Sequence, residues 1–124
     1  MSNFTLDNND AIYQIRAFKP GMIQINDKIY TQSLVVAPNA LVENWPPQTI
    51  EQLTAKHLLP LIAMTPHIVL IGTGHALVFP HAEIYGALIN AGIGVEIMDT
   101  SAACRTYNAL TSENRNVVAA LIVN

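Results

Sequence analysis

The sequence is poor in charged residues. They make up 12% of its 124 residues, against about 25% in a typical globular domain. Hydrophobic residues make up 51%, which excludes an intrinsically disordered chain because such chains combine low hydrophobicity with high charge. The low charge indicates a sheet buried on both faces or a surface covered by a partner. The first interpretation needs no further assumption, so we favour it.

Basic residues, cysteines and long apolar runs are also scarce. Six Lys and Arg residues and a net charge of −3 leave no basic surface for nucleic acid. The single Cys104 cannot form an internal disulfide, which is typical of a reducing compartment. No apolar run reaches the roughly 18 residues of a membrane span, and residues 1–10 lack the pattern of a signal peptide. We therefore expect a cytoplasmic protein without a membrane span.

The length fits one compact domain. Residues 1–10 are polar and predict a loose N-terminus, and residues 11–124 predict a single α/β domain. Strand-forming residues at 11–18 are followed by two apolar segments that face each other across Asn26-Asp27, which is a hairpin signal. A further apolar strand at 33–37 makes the first third of the chain antiparallel β.

The middle of the chain predicts a loop and then an interrupted helix. Trp45 lies in the loop, and we interpret it as a plug at the edge of the core. Apolar residues recur at helical spacing from about residue 49 to Ile62, but Pro60 should kink or divide that helix, and Pro66 ends it.

The second half alternates strands and helices. Residues 68–71 and 117–123 are continuous apolar runs, typical of strands buried on both faces. Residues 95–98 carry Val95, Ile97 and Met98 around Glu96 and predict a further strand of the same sheet. Between them lie a helix predicted from Pro80 to Asn90, closed by Gly92, and a second helix for which Asp99, Thr100 or Ser101 can act as N-cap. This order implies right-handed crossover units in one sheet.

Two motifs carry a resemblance to a known family: Gly72-Thr73-Gly74, and the segment 92–108 with Asp99-Thr100 at its centre. From about Gly21 onward the chain resembles the small domain family that includes the mitochondrial complex I assembly factor of the third type and the adipogenesis-associated single-domain protein. The resemblance implies a three-layer α/β fold with a mixed central sheet of about five strands, helices on its faces and an additional N-terminal β hairpin. It implies no reaction and no cofactor, and Ser101 stands where many members carry Arg.

Gly72-Thr73-Gly74 could form half of a dinucleotide-binding fingerprint. It follows a buried strand, and Asp99 ends the next strand, where a ribose-binding acid would lie. Against this, Leu77 occupies the position of the third glycine, and the next helix does not begin directly after the glycines. The alternative is a tight strand exit that requires glycine backbone angles.

Cys104 and Arg105 form a second candidate. A thiol in the first turn of a helix can have a lowered pKa, but a nucleophile also needs a base. His75 or His81 could supply one only if the loop before Pro80 folds over the helix. We therefore predict that Cys104 is not a catalytic nucleophile. The irregular spacing of His75, His81 and Glu83 predicts no metal site.

Helical spacing divides the helix after Asp99 into two faces. One face should pack on the sheet and carries Ala103, Thr106, Tyr107 and Leu110. The other should be polar and carries Ser101, Cys104, Arg105, Asn108 and Ser112. Because ligands bind at strand ends in α/β sheets, Asp99 and Arg105 are candidate residues at the rim of a crevice.

Two functional hypotheses follow. The favoured one is a non-catalytic, assembly-factor-like module that acts through a protein partner and uses no cofactor and no metal. The alternative is a small enzyme or nucleotide-binding domain that uses the crevice between Gly72–Gly74 and Asp99–Arg105. The candidate binding residues are Gly72, Thr73, Gly74, Asp99, Thr100, Cys104, Arg105, Tyr107 and Asn108.

Overall fold

A computed structural model describes residues 11–124, so the loose N-terminus predicted at residues 1–10 lies outside the described residues. The described part contains two sheets and three α-helices. The strands are β1 (Ile15–Lys19), β2 (Met22–Ile25), β3 (Lys28–Tyr30), β4 (Leu34–Ala37), β5 (Ala40–Val42), β6 (Ile68–Gly72), β7 (Gly94–Met98) and β8 (Val117–Leu121). The helices are α1 (Ala55–Leu58), α2 (Ala82–Asn90) and α3 (Thr100–Ser112).

The smaller sheet is antiparallel, with the order β1-β2-β3. Its β2–β3 hairpin confirms the predicted turn, in which Asn26 has a φ of 53°. The hairpin is extended by β1, which begins at Ile15 rather than at residue 11. The segment before Ile15 bends around the Asn26 amide, whose Oδ1 accepts from the Gln14 N–H (3.0 Å) and whose Nδ2 donates to the Ile12 carbonyl (2.9 Å).

The larger sheet has five strands in the order β5-β4-β8-β6-β7. β6 runs parallel to both β7 and β8, whereas β4 is antiparallel to β5 and β8. The predicted mixed central sheet of about five strands is therefore confirmed. The C-terminal strand β8 lies at its centre, which explains why its sequence has no polar alternation.

Successive residues of the central strands point to opposite faces of the sheet and enter two separate core clusters. One cluster joins the sheet to α3 and to the smaller sheet, and its members include Ile23, Leu34, Leu70, Tyr107 and Leu121. The other cluster joins the opposite face to α1, α2 and their connections, and its members include Trp45, Leu58, Ile71, Leu88 and Ile122. Apolar contact on both faces accounts for the low charge of the sequence.

The predicted helix of the middle segment is divided into short pieces. Two 3₁₀ turns, Ile50–Gln52 and Leu59–Met64, flank the four residues of α1. Pro60 lies at the start of the second turn, and its missing N–H prevents a continuous α-helix, as predicted. Trp45 is 5% exposed and its Nε1–H donates to the His57 carbonyl (3.3 Å), so the predicted core plug is confirmed.

The two longer helices follow the predicted order. α2 begins at Ala82 rather than at Pro80, with His81 as its N-cap, and Gly92 follows its end with a φ of 80°. α3 begins at Thr100 because the Asp99 carboxylate accepts from the Ala102 N–H (2.8 Å), which satisfies a free donor of the first turn. Both helices therefore start beyond the carboxyl ends of the parallel strands.

Candidate functional site

Thr100 connects the carboxyl ends of the parallel strands. Its side chain is fully buried. Its Oγ1 accepts from the Gly74 N–H (2.8 Å) and donates to the Ile122 carbonyl (2.7 Å). One hydroxyl therefore links the exit of β6, the start of α3 and the residue that follows β8.

Backbone hydrogen bonds tighten the same region. The Thr100 N–H donates to the Gly74 carbonyl (2.9 Å), the Thr73 N–H to the Met98 carbonyl (2.9 Å) and the Ile122 N–H to the Gly72 carbonyl (3.0 Å). The exit of β6 and the start of α3 are thus joined directly by the chain's own polar groups.

The two glycines of the motif are required by this close packing. A Cβ on Gly72 would lie 2.8 Å from Thr100 Oγ1 and 3.1 Å from Thr100 Cα. Gly74 has a φ of 101°, and a Cβ there would lie 2.9 Å from the Asn124 carbonyl oxygen. Such contacts and angles favour the tight strand exit over the dinucleotide fingerprint.

Thr73 shapes the loop that follows the motif. It is 5% exposed, its Oγ1 donates to the Ala76 carbonyl (2.6 Å), and the same oxygen accepts from the Val78 N–H (3.2 Å). These bonds turn the chain at residues 74–78, so that Ala76 and Val78 lie next to Thr73. The hydroxyl of Thr73 is therefore occupied within the loop.

Three consecutive apolar side chains are exposed in the loop that follows Thr73. Leu77 is 49% exposed, Val78 41% and Phe79 69%; we call them the 77–79 loop. Beside the loop lies a cavity of about 180 Å³, whose lining includes Ile50, Val78 and Ile122. Sequence reasoning missed this surface. The signal that could have found it is the run of three apolar residues between the Gly72-Thr73-Gly74 motif and Pro80, outside any predicted strand or helix.

Part of the second face of α3 is covered by β1, so the prediction of a polar face was wrong for Cys104. Cys104 is 5% exposed. The Asn108 side chain donates from Nδ2 to the Ile15 carbonyl (2.7 Å), and its Oδ1 accepts from the Ile15 N–H (3.2 Å), as a strand partner would. Helical spacing showed two faces but could not show that the N-terminal strand packs along the second.

Tyr107 lies on the face predicted to pack on the sheet, and it is fully buried. Its hydroxyl donates to the Tyr13 carbonyl (2.8 Å), which ties α3 to the segment before β1. Burial raises the pKa of the Tyr107 hydroxyl well above its usual value of 10.0. The position of Tyr107 identifies it as part of the core.

An open cleft remains between β1 and the first turns of α3. It has a volume of about 230 Å³ and is lined by Ile15, Arg16, Ala17, Phe18, Ser101, Cys104, Arg105 and Asn108. We call it the β1–α3 cleft. It brings together three of the predicted site residues, Cys104, Arg105 and Asn108, and it adds Arg16 from a distant part of the chain. Gly72, Thr73 and Gly74 are not part of its lining.

The other candidate groups lie apart from the cleft. His75, His81 and Glu83 are exposed, and none of them lines it. Within residues 11–124, no three His, Cys, Asp or Glu side chains are grouped closely enough to hold a metal ion. A histidine base for Cys104 is therefore not supplied by the residues that line the cleft.

We expect Cys104 to react slowly with alkylating reagents in the native protein. Burial raises the pKa of its thiol from 9.0 to about 12, an effect that the nearby Arg105 charge only partly opposes. At pH 8 the thiolate fraction should then be about a thousandfold below that of an ordinary cysteine. Labelling with iodoacetamide, followed by mass spectrometry, measures the rate, and the same protein in guanidinium chloride is the control. Equal rates in both would contradict the raised pKa.

The described residues include no helix that is both long enough and apolar enough to cross a membrane. The longest, α3, has 13 residues, whereas a spanning helix needs about 20.

Comparison with known proteins identifies relatives of the chain. The model of the family described as protein of unknown function (DUF498/DUF598) matches residues 15–122. A 13 kDa major membrane protein of Francisella tularensis subsp. holarctica (strain LVS) is 32% identical over 108 residues, covering 86% of this chain and 88% of that protein. NADH dehydrogenase (ubiquinone) 1 alpha subcomplex assembly factor 3 of Danio rerio is 33% identical over 110 residues. That match covers 87% of this chain but 63% of the fish protein.

A solved structure shows the same fold. The crystal structure of a Bordetella parapertussis protein is similar with a TM-score of 0.86 at 36% identity, covering 92% of this chain and 98% of that one. The resemblance inferred from Gly72-Thr73-Gly74 and Asp99-Thr100 is thereby confirmed. The chain belongs to the family of proteins of unknown function DUF498/DUF598.

Proposed function

We propose that the protein is a non-catalytic, assembly-type module that holds an apolar segment of a partner protein on the 77–79 loop. The observation that carries the proposal is the exposure of Leu77, Val78 and Phe79 in one continuous stretch, beside a cavity whose lining includes Ile50 and Ile122. Aromatic and apolar anchors next to a small pocket are typical of the centre of a protein interface.

The energetic gain from covering this loop is large for so short a segment. Complete burial of an exposed Leu, Val or Phe side chain contributes about 1.5–3 kcal/mol. Because Leu77, Val78 and Phe79 are 41–69% exposed, covering each would gain about half of that. Contiguous exposed apolar surface of this kind usually marks an interaction site. Among residues 11–124, the other exposed apolar side chains, such as Ile29 on β3 and Ile89 on α2, do not form a consecutive triplet.

The loop is held in place before any partner arrives. Gly74 at its start is fixed by Thr100, and the Thr73 hydroxyl bonds both Ala76 and Val78. Ordering a flexible loop costs binding free energy, so a loop already held by such bonds binds with less loss.

The names of relatives agree with an assembly role. The Danio rerio protein is named an assembly factor for NADH dehydrogenase. The match covers only 63% of the fish protein. An assembly role for this chain is therefore part of our proposal. We also propose a cytoplasmic location, which the single free Cys104 supports.

A photo-reactive amino acid placed at position 79 tests the proposed surface. We expect cross-links in the cell of origin to one main protein, with the attached peptide rich in apolar residues. The matched control is the same amino acid at position 29, because Ile29 is similarly exposed (57%) but lies on the smaller sheet. Adding Leu77→Ser should reduce the cross-links from position 79 several-fold, since it removes one apolar anchor.

Three outcomes would overturn the proposal. Position 79 could give no cross-links above background, or it could give the same products as position 29. The cross-links could also persist undiminished in the Leu77→Ser variant, provided that this variant unfolds at the same urea concentration as the parent. The first two would remove the loop as a specific surface, and the third would show that its apolar character is irrelevant.

A further inference from the structure

We infer that the β1–α3 cleft binds a small phosphate-bearing anion between Arg16 and Arg105. This site is separate from the proposed docking surface, because none of Leu77, Val78 and Phe79 lines it. It would bind its ligand whether or not the loop holds a partner protein.

The position of Arg16 results from an irregularity in β1. Ile15 pairs with Ile25 and Ala17 pairs with Gln24, so Arg16 is an extra residue in β1. Bulges of this kind redirect a side chain and are frequent beside functional sites. Here Ile15 remains buried while Arg16 and Ala17 are both exposed, and Arg16 becomes part of the wall of the cleft that faces α3.

Arg105 supplies the opposite wall and is held in a defined orientation. Its Nη1 donates to the Ser101 Oγ one turn earlier on α3 (2.8 Å). That bond uses one of the five N–H donors of the guanidinium and leaves the others for a ligand. Ser101 also lies in the first turn of α3, where the helix dipole favours a bound anion.

None of the described residues that line the cleft carries a negative charge that would oppose an anion. Among residues 11–124, no Asp or Glu side chain contributes to the lining. The acid nearest in sequence, Asp99, lies outside the lining, and its carboxylate caps α3 at Ala102. Cys104 is the remaining ionisable group besides the two arginines, and burial raises the pKa of its thiol to about 12, so that the thiol is neutral. The lining formed by residues 11–124 therefore carries two positive charges and no counter-ion.

Size and charge select the ligand class. The volume of about 230 Å³ is below the roughly 300–1,000 Å³ of sites for drug-sized ligands, so the cleft suits a phosphate group with a small substituent. The two positive charges of the guanidinium groups match the two negative charges of a phosphate dianion. One carboxylate would neutralise only one of those positive charges. Arginine donors also match the geometry of phosphate oxygens.

Titration followed by amide NMR tests the site with three probes at constant ionic strength: inorganic phosphate, glycerol phosphate and acetate. We expect saturable shifts, confined to residues 15–18 and 101–108, with both phosphates. Acetate should bind about tenfold more weakly or worse, because it carries half the charge. Tighter binding of glycerol phosphate than of inorganic phosphate would assign the site to a phosphate ester, and equal binding would assign it to free phosphate.

Four variants distinguish specific binding by the two arginines from a general effect of the protein's charge. Arg16→Gln and Arg105→Gln should each weaken phosphate binding about tenfold, and Arg105→Lys should weaken it less because the charge remains. Arg115→Gln is the matched control, since Arg115 is exposed and lies outside the cleft, and it should change binding less than about twofold. The inference fails if the wild-type protein shows no saturable shift with phosphate. It also fails if Arg115→Gln weakens binding as much as Arg16→Gln, or if acetate binds as well as phosphate.

Discussion

Replacing Tyr107 by Ala should lower the free energy of unfolding by about 4 kcal/mol. Tyr107 is the largest fully buried side chain of the described residues, and it packs in the core cluster between α3, the central sheet and the smaller sheet. Removing the ring leaves a cavity that the surrounding strands cannot fill, because Leu70 and Leu121 are held in the ladder of the sheet. Urea unfolding followed by circular dichroism measures the loss.

Tyr107→Phe is the matched control because it removes only the hydroxyl. The Tyr13 carbonyl then loses its 2.8 Å donor, and we expect a loss of about 1 kcal/mol. Comparison of the two variants separates the contribution of the ring from that of the hydrogen bond. If Tyr107→Ala were as stable as wild type, Tyr107 would not be a core residue.

Three strands of the central sheet could be predicted, though not their order in it, because hydrophobic pattern is a local property of the sequence. The runs 68–71 and 117–123 are apolar without interruption, which is typical of strands covered on both faces, whereas residues 95–98 include Glu96 and form the partly exposed edge strand β7. The hairpin at Asn26-Asp27 and a helix cap among Asp99, Thr100 and Ser101 are equally local, since each depends on residues within a few positions. The division of the middle helix at Pro60 follows from the missing N–H of proline.

The partners of α3 could not be predicted in the same way. Helical spacing separates Ala103 and Tyr107 from Cys104 and Asn108, but it does not say what covers each face. In the structure β1 covers part of the second face, through the bonds of Asn108 to Ile15, 93 residues earlier in the chain. Such a contact depends on the path of the whole chain. For that reason Cys104 was placed on a polar face although it is buried.

Both surfaces proposed here were only partly visible in the sequence. Arg105 was recognised as a candidate, but its counterpart Arg16 is 89 positions earlier, and only the bulge in β1 places it in the cleft. Leu77 was noted merely as a departure from a glycine pattern. Its exposure depends on the Thr73 hydroxyl, which folds the loop so that Leu77, Val78 and Phe79 remain outside the core.

The second large effect is expected for Thr100→Val, which should lower the free energy of unfolding by about 3 kcal/mol. Valine has nearly the shape of threonine, so packing around position 100 is kept while the hydroxyl is lost. The Gly74 N–H then lacks its acceptor and the Ile122 carbonyl lacks its donor, and both groups are buried. A buried polar group left without a partner costs about 1–3 kcal/mol.

Thr100→Ser provides the control, because it keeps the hydroxyl and removes one methyl group. Its expected cost is about 1 kcal/mol, the loss of a single buried methyl. The order of stability, wild type above Ser above Val, would identify the hydroxyl as the link between β6, α3 and β8. The reverse order of the two variants would show that Thr100 contributes through its methyl group instead. Because Gly74 also begins the 77–79 loop, Thr100→Val should in addition weaken the cross-links from position 79, whereas Thr100→Ser should preserve them.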